Sequence, residues 1–348
     1  METILVTGGC GFIGSHVTLE LLRKGYNVLV LDSNVNSSHL IIDKVKDVFL
    51  SNNQKSYCSL NFIKGDIRDE SLLGKIFKEK HFNNSIINGV IHLAGLKSVK
   101  DSFQKSSEYW DVNVKGSENL LKIMMENNCN NFVFSSSATV YGEPKSTPIF
   151  EDFETFPINP YGKTKLKFED IIKDNFTKYN QELKAISLRF FNPIGAHYSG
   201  ILGEIPSTNN GNIFPNILNV ALGKLNYLSI FGNNWPTSDG TAVRDFIHIM
   251  DVAEGHIAAI EFLQRSKPIC MNINLGTGVK TSIMELINTF ELVNNVKIPY
   301  KFKEKRIGDT PILLAEISLA KKILNWKAKK SLFEMCKDGW NFAKINLR

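Results

Sequence analysis

The chain has 348 residues, 43% of them hydrophobic and 22% charged, with a formal net charge of +6. That composition can bury a large core, which excludes a disordered or fibrous chain, and the length suits two domains or one large domain with an appendage. No apolar run approaches the about 18 residues that a membrane helix needs, so no membrane partner is expected.

A first strand beginning at Thr3 would leave no room for a signal peptide, which predicts an unprocessed soluble protein. The five cysteines, Cys10, Cys58, Cys129, Cys270 and Cys336, are odd in number and contain no C-x-x-C pair. That pattern argues against a disulfide framework or a zinc site and fits a reducing cytoplasm. The seven histidines form no H-E-x-x-H, and His92, ending an apolar run, reads as a packed core residue; no metal is expected. Lys and Arg crowd the stretch from Lys301 to Lys330, which reads as a solvated surface because no nucleic-acid-binding pattern accompanies it. No nucleic-acid partner is expected, although an anionic small molecule could use a few of these charges.

In chain order, short apolar runs rich in β-branched residues occur at Ile4-Val6, Val28-Leu31, Asn61-Ile63, Val90-Leu93, Phe132-Phe134 and Ile186-Leu188. They alternate with longer amphipathic stretches, the signature of βαβ units. The predicted fold class is α/β, a doubly wound parallel sheet covered by helices. The first run leads into Thr7-Gly8-Gly9-Cys10-Gly11-Phe12-Ile13-Gly14, which opens an amphipathic helix. Glycines there let the backbone turn sharply and approach a pyrophosphate, while the helix N-terminus offers free N–H groups. Asp32 ends the second run about twenty residues on, where a carboxylate can bind adenosine ribose hydroxyls and would repel a 2′-phosphate. The pair predicts NAD rather than NADP. From Val35 to Leu60 a helix and then a loose loop are expected, without chemistry.

Next comes a triple serine, Ser135-Ser136-Ser137, followed by two copies of Tyr-x-x-x-Lys. In the first, Tyr141 to Lys145, Pro144 lies inside the span and would break a helix, so the two side chains are not expected to share a face. In the second, Tyr161 follows Pro160, which suits a first helical turn, and Leu166, Phe168, Ile171, Ile172 and Phe176 continue at helical spacing. Tyr161 and Lys165 then lie on one face. An ordinary tyrosine titrates near 10, so a base at neutral pH needs a shift of about three units, roughly 4 kcal/mol. One ammonium ~4 Å away at an effective dielectric of ~20 supplies about 4 kcal/mol. Lys165, with the cationic nicotinamide of bound NAD adding to it, is thus expected to draw the Tyr161 pKa toward neutrality. Beyond Phe191 the pattern turns irregular, with Pro193, Pro206, Pro215 and Pro236, and suggests a smaller lobe closing over the carboxyl ends of the strands.

With the glycine loop, Ser137, Tyr161 and Lys165 in place, the chain resembles the extended short-chain dehydrogenases/reductases, most closely the UDP-glucose 4-epimerases (UDP-galactose 4-epimerases). Further segments carrying the resemblance are Gly65-Asp66-Ile67-Arg68, His92-Leu93-Ala94-Gly95-Leu96-Lys97, Phe134 to Gly142, Arg189-Phe190-Phe191-Asn192-Pro193-Ile194-Gly195-Ala196, Val243-Arg244-Asp245-Phe246-Ile247-His248 and Arg306-Ile307-Gly308-Asp309. The resemblance implies a Rossmann NAD-binding domain over 1–188 and a smaller lobe over 189–348 that mainly binds UDP-sugar, with some segments returning to the first domain.

It also implies a set of residues. NAD contacts would come from Gly8, Gly11, Phe12, Ile13 and Gly14, from Asp32, Ser33, Asn34, Val35, Asn36 and Ser37, from Asp66 and Ile67, from Leu93, Ala94, Gly95 and Lys97, and from Asn113, Ser137, Tyr161, Lys165 and Phe191. Ser137, Tyr161 and Lys165 would be catalytic. The UDP-sugar would meet Lys97, Ser137, Tyr161, Asn192, Asn212, Ile213, Ser229, Ile230, Phe231, Arg244, Arg306 and Asp309, with the two arginines on the diphosphate, a task their planar fork suits. Leu313 would lie beside the sugar's 2-substituent, where a large tyrosine resembles enzymes restricted to plain hexoses and a small residue those that also take N-acetyl sugars.

The implied activity is reversible C4 epimerisation of UDP-glucose and UDP-galactose through a transient 4-keto sugar and enzyme-bound NADH, with UDP-GlcNAc and UDP-GalNAc as further candidate substrates. A nucleotide-sugar 4,6-dehydratase or decarboxylase needs more acid-base residues just after the catalytic Ser or Thr, where this chain has Ala138 and Thr139, and alanine exchanges no proton. A non-catalytic NAD-binding scaffold would need no base. Two long helical stretches, Gln104-Asn127 and Pro160-Lys178, resemble the family's dimer-forming pair and imply a homodimer, although their apolar positions suit a core equally.

Overall fold

The computed structural model describes residues 1–51, 58–82, 85–178, 182–205, 211–306 and 308–347. The first half runs β1 (Thr3–Thr7), α1 (Phe12–Arg23), β2 (Asn27–Asp32), α2 (Leu40–Ser51), β3 (Leu60–Lys64), α3 (Glu70–Lys78), β4 (Ile87–His92), α4 (Val99–Gln104), α5 (Ser106–Trp110), α6 (Ser117–Glu126), β5 (Asn131–Ser135), α7 (Pro160–Lys178) and β6 (Lys184–Phe190). The second half runs β7 (Asn192–Ile194), α8 (Ile213–Ala221), β8 (Leu228–Phe231), β9 (Val243–Arg244), β10 (Phe246–His248), α9 (Ile249–Arg265), β11 (Ile269–Leu275), β12 (Thr281–Ser282), α10 (Ile283–Asn294), β13 (Tyr300–Lys303), β14 (Ile312–Leu313), α11 (Ser318–Leu324) and α12 (Leu332–Asn346).

Seven parallel strands form the central sheet in the order β11-β6-β5-β4-β1-β2-β3. The alternation of side chains along each strand builds the two layers around it. Ile4, Val6, Val28 and Val30 pack on one face with Val17 and Leu21 of α1, Val45 and Val48 of α2, and Val252 and Ile260 of α9. Leu5, Leu29 and Leu31 pack on the other with Leu73 of α3, Leu120 and Met124 of α6, and Phe168 and Ile172 of α7. The chain reverses its winding between β1 and β4, and the carboxyl ends of these two strands open the crevice where ligands of such sheets bind.

The six predicted strands are β1 to β6. The seventh, β11, lies in the half expected to form mainly a smaller lobe, with some segments returning to the first domain. As an edge strand it has a weak apolar signal: Cys270, Asn272 and Asn274 interrupt it, and its first four residues are half-exposed. The stretch from Gln104 to Asn127 is also not one regular helix. It consists of α5, a π-helical turn over Asp111–Gly116, and α6. Such turns insert a residue into the helical register and re-aim its neighbours. Of the segment from Val35 to Leu60, α2 is described and the predicted loop falls mostly on 52–57, outside the described residues, as does Pro206.

The second lobe gathers around α8, α10 and α12. Phe290 is fully buried there, with edge-on contacts to Phe214 at 6.1 Å and Trp340 at 6.0 Å. Five of the histidines are fully buried in the molecule, His16, His92 and His256 among them. Burial pushes the pKa values of these three down to about 4, 3 and 4 respectively. The unfolded chain binds these protons near 6.5 and the folded chain does not, so the stabilisation is complete above pH 6.5 and is lost as pH falls toward 4. We expect the unfolding free energy to drop by up to about 4 kcal/mol per pH unit below pH 6. Urea unfolding at a series of pH values checks this; a flat stability between pH 7 and 5 would contradict it.

Candidate active site

The crevice begins at the glycine loop. Gly8 has φ +72°, and a Cβ there would stand 2.6 Å from the Ala94 amide nitrogen. A Cβ on Gly14 would lie 2.2 Å from the Gly8 carbonyl oxygen. These two glycines therefore let the loop, the first turn of α1 and the end of β4 come into direct contact. Gly11, at the N-cap of α1, supplies no side-chain acceptor to the first-turn N–H groups, and the first turn holds no acidic residue. Those N–H groups suit a pyrophosphate.

At the next strand end, Asp32 is buried and accepts from the Cys10 N–H at 3.0 Å, the Asn34 N–H at 2.9 Å and the Ser37 hydroxyl at 2.8 Å. A carboxylate has about four acceptor sites, so the loop fixes Asp32 without exhausting it. The remaining sequence-predicted cofactor residues follow the ends of β3, β4, β5 and β6, which puts Asp66-Ile67, Leu93 to Lys97, Ser137 and Phe191 on the same carboxyl edge. Asp66 is tied to Arg68 at 2.7 Å, Ile67 is buried, and Lys97 forms an ion pair with Glu204 at 2.9 Å. Nothing in the sequence pattern marks Glu204 as that partner.

Asn113 reaches this edge because the π turn projects it inward. Its side chain accepts from the Leu96 N–H at 2.8 Å and donates to the Leu96 carbonyl at 3.0 Å and to Thr164 Oγ1 at 3.1 Å. It thus clamps the loop after β4 to α7. His92 closes the same joint. Ser117 donates its hydroxyl to the Asn113 carbonyl at 2.8 Å, so His92 Nε2, 2.8 Å from that hydroxyl, carries the proton, and Nδ1 accepts from Thr7 at 2.7 Å. His92 is a core residue, neutral and fully bonded.

α7 starts at Pro160, and the Asn159 side chain caps it by accepting from the Gly162 N–H at 2.7 Å. Tyr161, Thr164, Lys165, Phe168, Ile171 and Ile172 form its buried face. Tyr161 and Ser137, 8% and 7% exposed, face each other at the open edge of the sheet. Lys165 Nζ donates to the Ser135 carbonyl at 2.8 Å and lies 4.7 Å from the Phe134 ring centre and 5.8 Å from that of Tyr161. The rival tyrosine is used elsewhere: Tyr141 donates to Asn274 at 2.7 Å, while Lys145 is exposed and pairs with Glu154 at 3.1 Å.

The electrostatics depart from the expectation for Tyr161. Burial pushes its pKa up to about 12, opposed by the Ser137 hydrogen bond, and burial also lowers Lys165 to about 8. The attraction between the two groups is outweighed by the cost of removing both from water. In the protein alone Tyr161 is a neutral phenol at neutral pH, and a further positive charge beside it is needed to make it a base.

In the second lobe Arg244, Arg306 and Asp309 converge. Arg244 is buried, donates to the Val243 and Thr310 carbonyls at 2.9 Å each, and lies 3.9 Å from Asp309. Burial lowers its pKa to about 10, with Asp309 opposing and Arg306 adding to the fall. Arg306 donates to Asp309 at 2.9 Å and to the Gly211 carbonyl at 3.1 Å, and its guanidinium lies 4.6 Å from the Phe231 ring centre. Two guanidinium groups held beside one carboxylate leave an excess positive charge suited to a diphosphate. Ser229, Ile230 and Phe231 form β8, Asn212-Ile213 start α8, and Asn192 starts β7. Leu313 pairs in register with Arg244 and packs beside Ala138 and Phe191. Ile307 lies outside the described residues.

The family model described as GDP-mannose 4,6 dehydratase matches residues 5–339. UDP-glucose 4-epimerase 2 of Oryza sativa subsp. japonica is 46% identical over 99% of this chain and 83% of its own length. The chain belongs to the UDP-glucose 4-epimerase family. A bifunctional UDP-glucose and UDP-xylose 4-epimerase of Pisum sativum is 44% identical over 99% of this chain and 96% of its own. Among solved structures, a UDP-glucose 4-epimerase of Stenotrophomonas maltophila, with bound NAD and formylated UDP-arabinopyranose, superposes with a TM-score of 0.93 at 38% identity, over 99% of this chain and 98% of that one. The epimerase family thus accounts for the whole chain, both lobes included.

Replacing Gly14 by alanine forces its Cβ against the Gly8 carbonyl. Strain of roughly 1–3 kcal/mol in a site that must keep its shape should weaken NAD binding about 10- to 100-fold. Titrating NAD-free protein with NAD by calorimetry measures this; an unchanged affinity would show that the loop tolerates the side chain.

Proposed function

We propose that this chain interconverts UDP-glucose and UDP-galactose by inverting the configuration at C4, with NAD as its cofactor. The observation that carries the reading is the meeting of Ser137, Tyr161 and Lys165 on the edge of the crevice lined by the glycine loop and Asp32. When bound, NAD supplies the acceptor that holds the C4 hydrogen between its removal and its return. Tyr161 takes the proton of the 4-hydroxyl and later gives it back, and Ser137 hydrogen-bonds the same oxygen. Lys165 supplies a fixed positive charge beneath the phenol. The raised pKa of Tyr161 supports a base that forms only in the loaded protein, where a cationic nicotinamide would add the charge that Lys165 does not provide alone.

Inversion requires the 4-keto sugar to turn over while its nucleotide stays in place. Arg244 and Arg306 support that division, because they sit in the second lobe and would grip the diphosphate, which is identical before and after the reaction. Gly8, Gly11, Phe12, Ile13, Gly14, Asp32 to Ser37, Asp66, Ile67, Leu93 to Gly95, Lys97, Asn113 and Phe191 are proposed to line the cofactor. Asn192, Asn212, Ile213, Ser229 to Phe231 and Asp309 are proposed to line the UDP-sugar. Domain limits of 1–188 and 189–348 are supported by the separate cores, with β11 and α9 returning to the first. Ala138 supports epimerisation over 4,6-dehydration. The proposed compartment is the cytoplasm, supported by five free cysteines, and no helix among the described residues is long and apolar enough to cross a membrane. A homodimer is supported by the exposed apolar side chains Phe103 and Trp110 on the α4 to α6 stretch.

Incubation with UDP-galactose should yield UDP-glucose without added reductant, and Tyr161→Phe should lower kcat about a thousandfold. Full activity in that variant would remove Tyr161 from its role. Turnover of UDP-N-acetylglucosamine relative to UDP-glucose should fall at least about tenfold in Leu313→Tyr if Leu313 bounds the space at the 2-substituent. An equal ratio in both proteins would move that boundary elsewhere.

A further inference from the structure

Three consecutive serines at the end of β5 meet three successive turns of α7. Ser137 faces Tyr161, the Ser135 carbonyl accepts from Lys165, and the Ser136 hydroxyl donates to Glu169. Tyr161, Lys165 and Glu169 recur at intervals of four and share one helical face. Glu169 is buried, and Arg189 of β6 grips its carboxylate through Nη2 to Oε2 at 2.6 Å and Nε to Oε1 and Oε2 at 3.0 and 3.2 Å. Arg189 is held in turn, donating through Nη1 to the Tyr141 hydroxyl at 3.0 Å and the Glu151 carbonyl at 3.1 Å.

A buried ion pair is a poor device for stability, since well-packed apolar residues of similar volume do as well or better. Its place one turn behind a buried ammonium suggests another use. The charged and titratable groups around Lys165 are Tyr161 and Glu169 on its own helix and His92 on β4, with Arg189 of β6 behind Glu169 and His256 of α9 bonded to the hydroxyl of Ser135. Glu169 alone among them carries negative charge while Tyr161 is a phenol. The one hydrogen bond of Lys165 among the described residues goes to a neutral carbonyl.

We propose that Glu169, held by Ser136 and Arg189, is a positioning residue for the epimerase reaction, whose fixed carboxylate keeps Lys165 cationic beneath Tyr161 and seats α7 against the end of β5. The proposal rests on the reading of Tyr161 as the base. Burial draws the Lys165 pKa down to about 8, and Glu169 opposes that fall. Without the carboxylate, Lys165 gives up its proton at lower pH, and a neutral amine cannot support a phenolate.

Two variants test this: Glu169→Gln, and Glu169→Gln combined with Arg189→Met, which removes both charges and keeps the fold if the single change leaves Arg189 uncompensated. Each is purified with its NAD and its fold checked by circular dichroism. The protonation of Lys165 is followed by carbon NMR of ε-labelled lysine, with the signal assigned by its loss in Lys165→Met. Alongside, kcat and KM for UDP-galactose are measured against pH. The Lys165 titration and the alkaline limb of kcat should both move down by about one pH unit in folded Glu169→Gln, and by less in the double variant, where loss of the Arg189 cation offsets part of the fall, with KM unchanged. A folded double variant with the wild-type Lys165 titration and alkaline limb would overturn the proposal and leave the pair a purely structural role. Should the wild-type protein fail to interconvert the two UDP-sugars, the functional reading falls, while the NMR titration still decides whether Glu169 governs Lys165.

Discussion

A cation buried at the end of a β-strand is the constraint on which the rest of this structure depends. Lys165 is 6% exposed and must find its partners inside the protein. It finds a backbone carbonyl, an aromatic face and a carboxylate one turn away. The first two come from adjacent residues of β5 and the third from α7 itself, where Arg189 of β6 holds it, so the ammonium is housed where α7 packs against β5 and is braced by β6. Phe168 supports this seat, standing edge-on to Phe134 at 4.8 Å and to His92 at 5.8 Å. The helix that carries the proposed base is therefore tied to β5 along its buried face.

The two lobes divide the work by the kind of charge they hold. The sheet edge offers a carboxylate at Asp32, uncapped N–H groups at α1 and the ammonium of Lys165, a set that suits a dinucleotide. The second lobe holds two guanidinium groups, one of them buried at an energetic cost that its lowered pKa reflects. Asp309 offsets that cost while leaving positive charge in excess. Asp245 joins the lobes: buried and next to Arg244, it accepts from Thr277, Gly278 and Ala315, which ties β9 to the loop after β11 and to the segment after β14.

Much of the fold was legible because β1, β2, β4, β5 and β6 are buried on both faces or nearly so, and such strands read as continuous apolar runs. The edge strand β11 was not, since half of it meets solvent and asparagines interrupt it. In the site, Pro144 was enough to separate the two Tyr-x-x-x-Lys copies, because a ring inside a helical span acts locally. The sign of the Tyr161 shift was not legible. Spacing along a helix reports who the neighbours are, whereas desolvation depends on everything else that closes around them. Glu169 and Arg189 were each visible in the sequence, but only their meeting across α7 and β6 gives them a common purpose.

The sequence by itself determined the alternation of strand and helix, the glycine loop, the acid that ends β2, and the order in which Ser137, Tyr161 and Lys165 come along the chain. These follow from local stereochemistry and from periodicities of two and 3.6 residues. Only the tertiary structure decided that Asn113 would be turned inward by a π-helical step, that Arg244 and Arg306 would share Asp309, and that Tyr161 would stay protonated in the protein alone. Those outcomes depend on contacts between segments remote in the chain and on the exclusion of water, and neither quantity is written in any local stretch of residues.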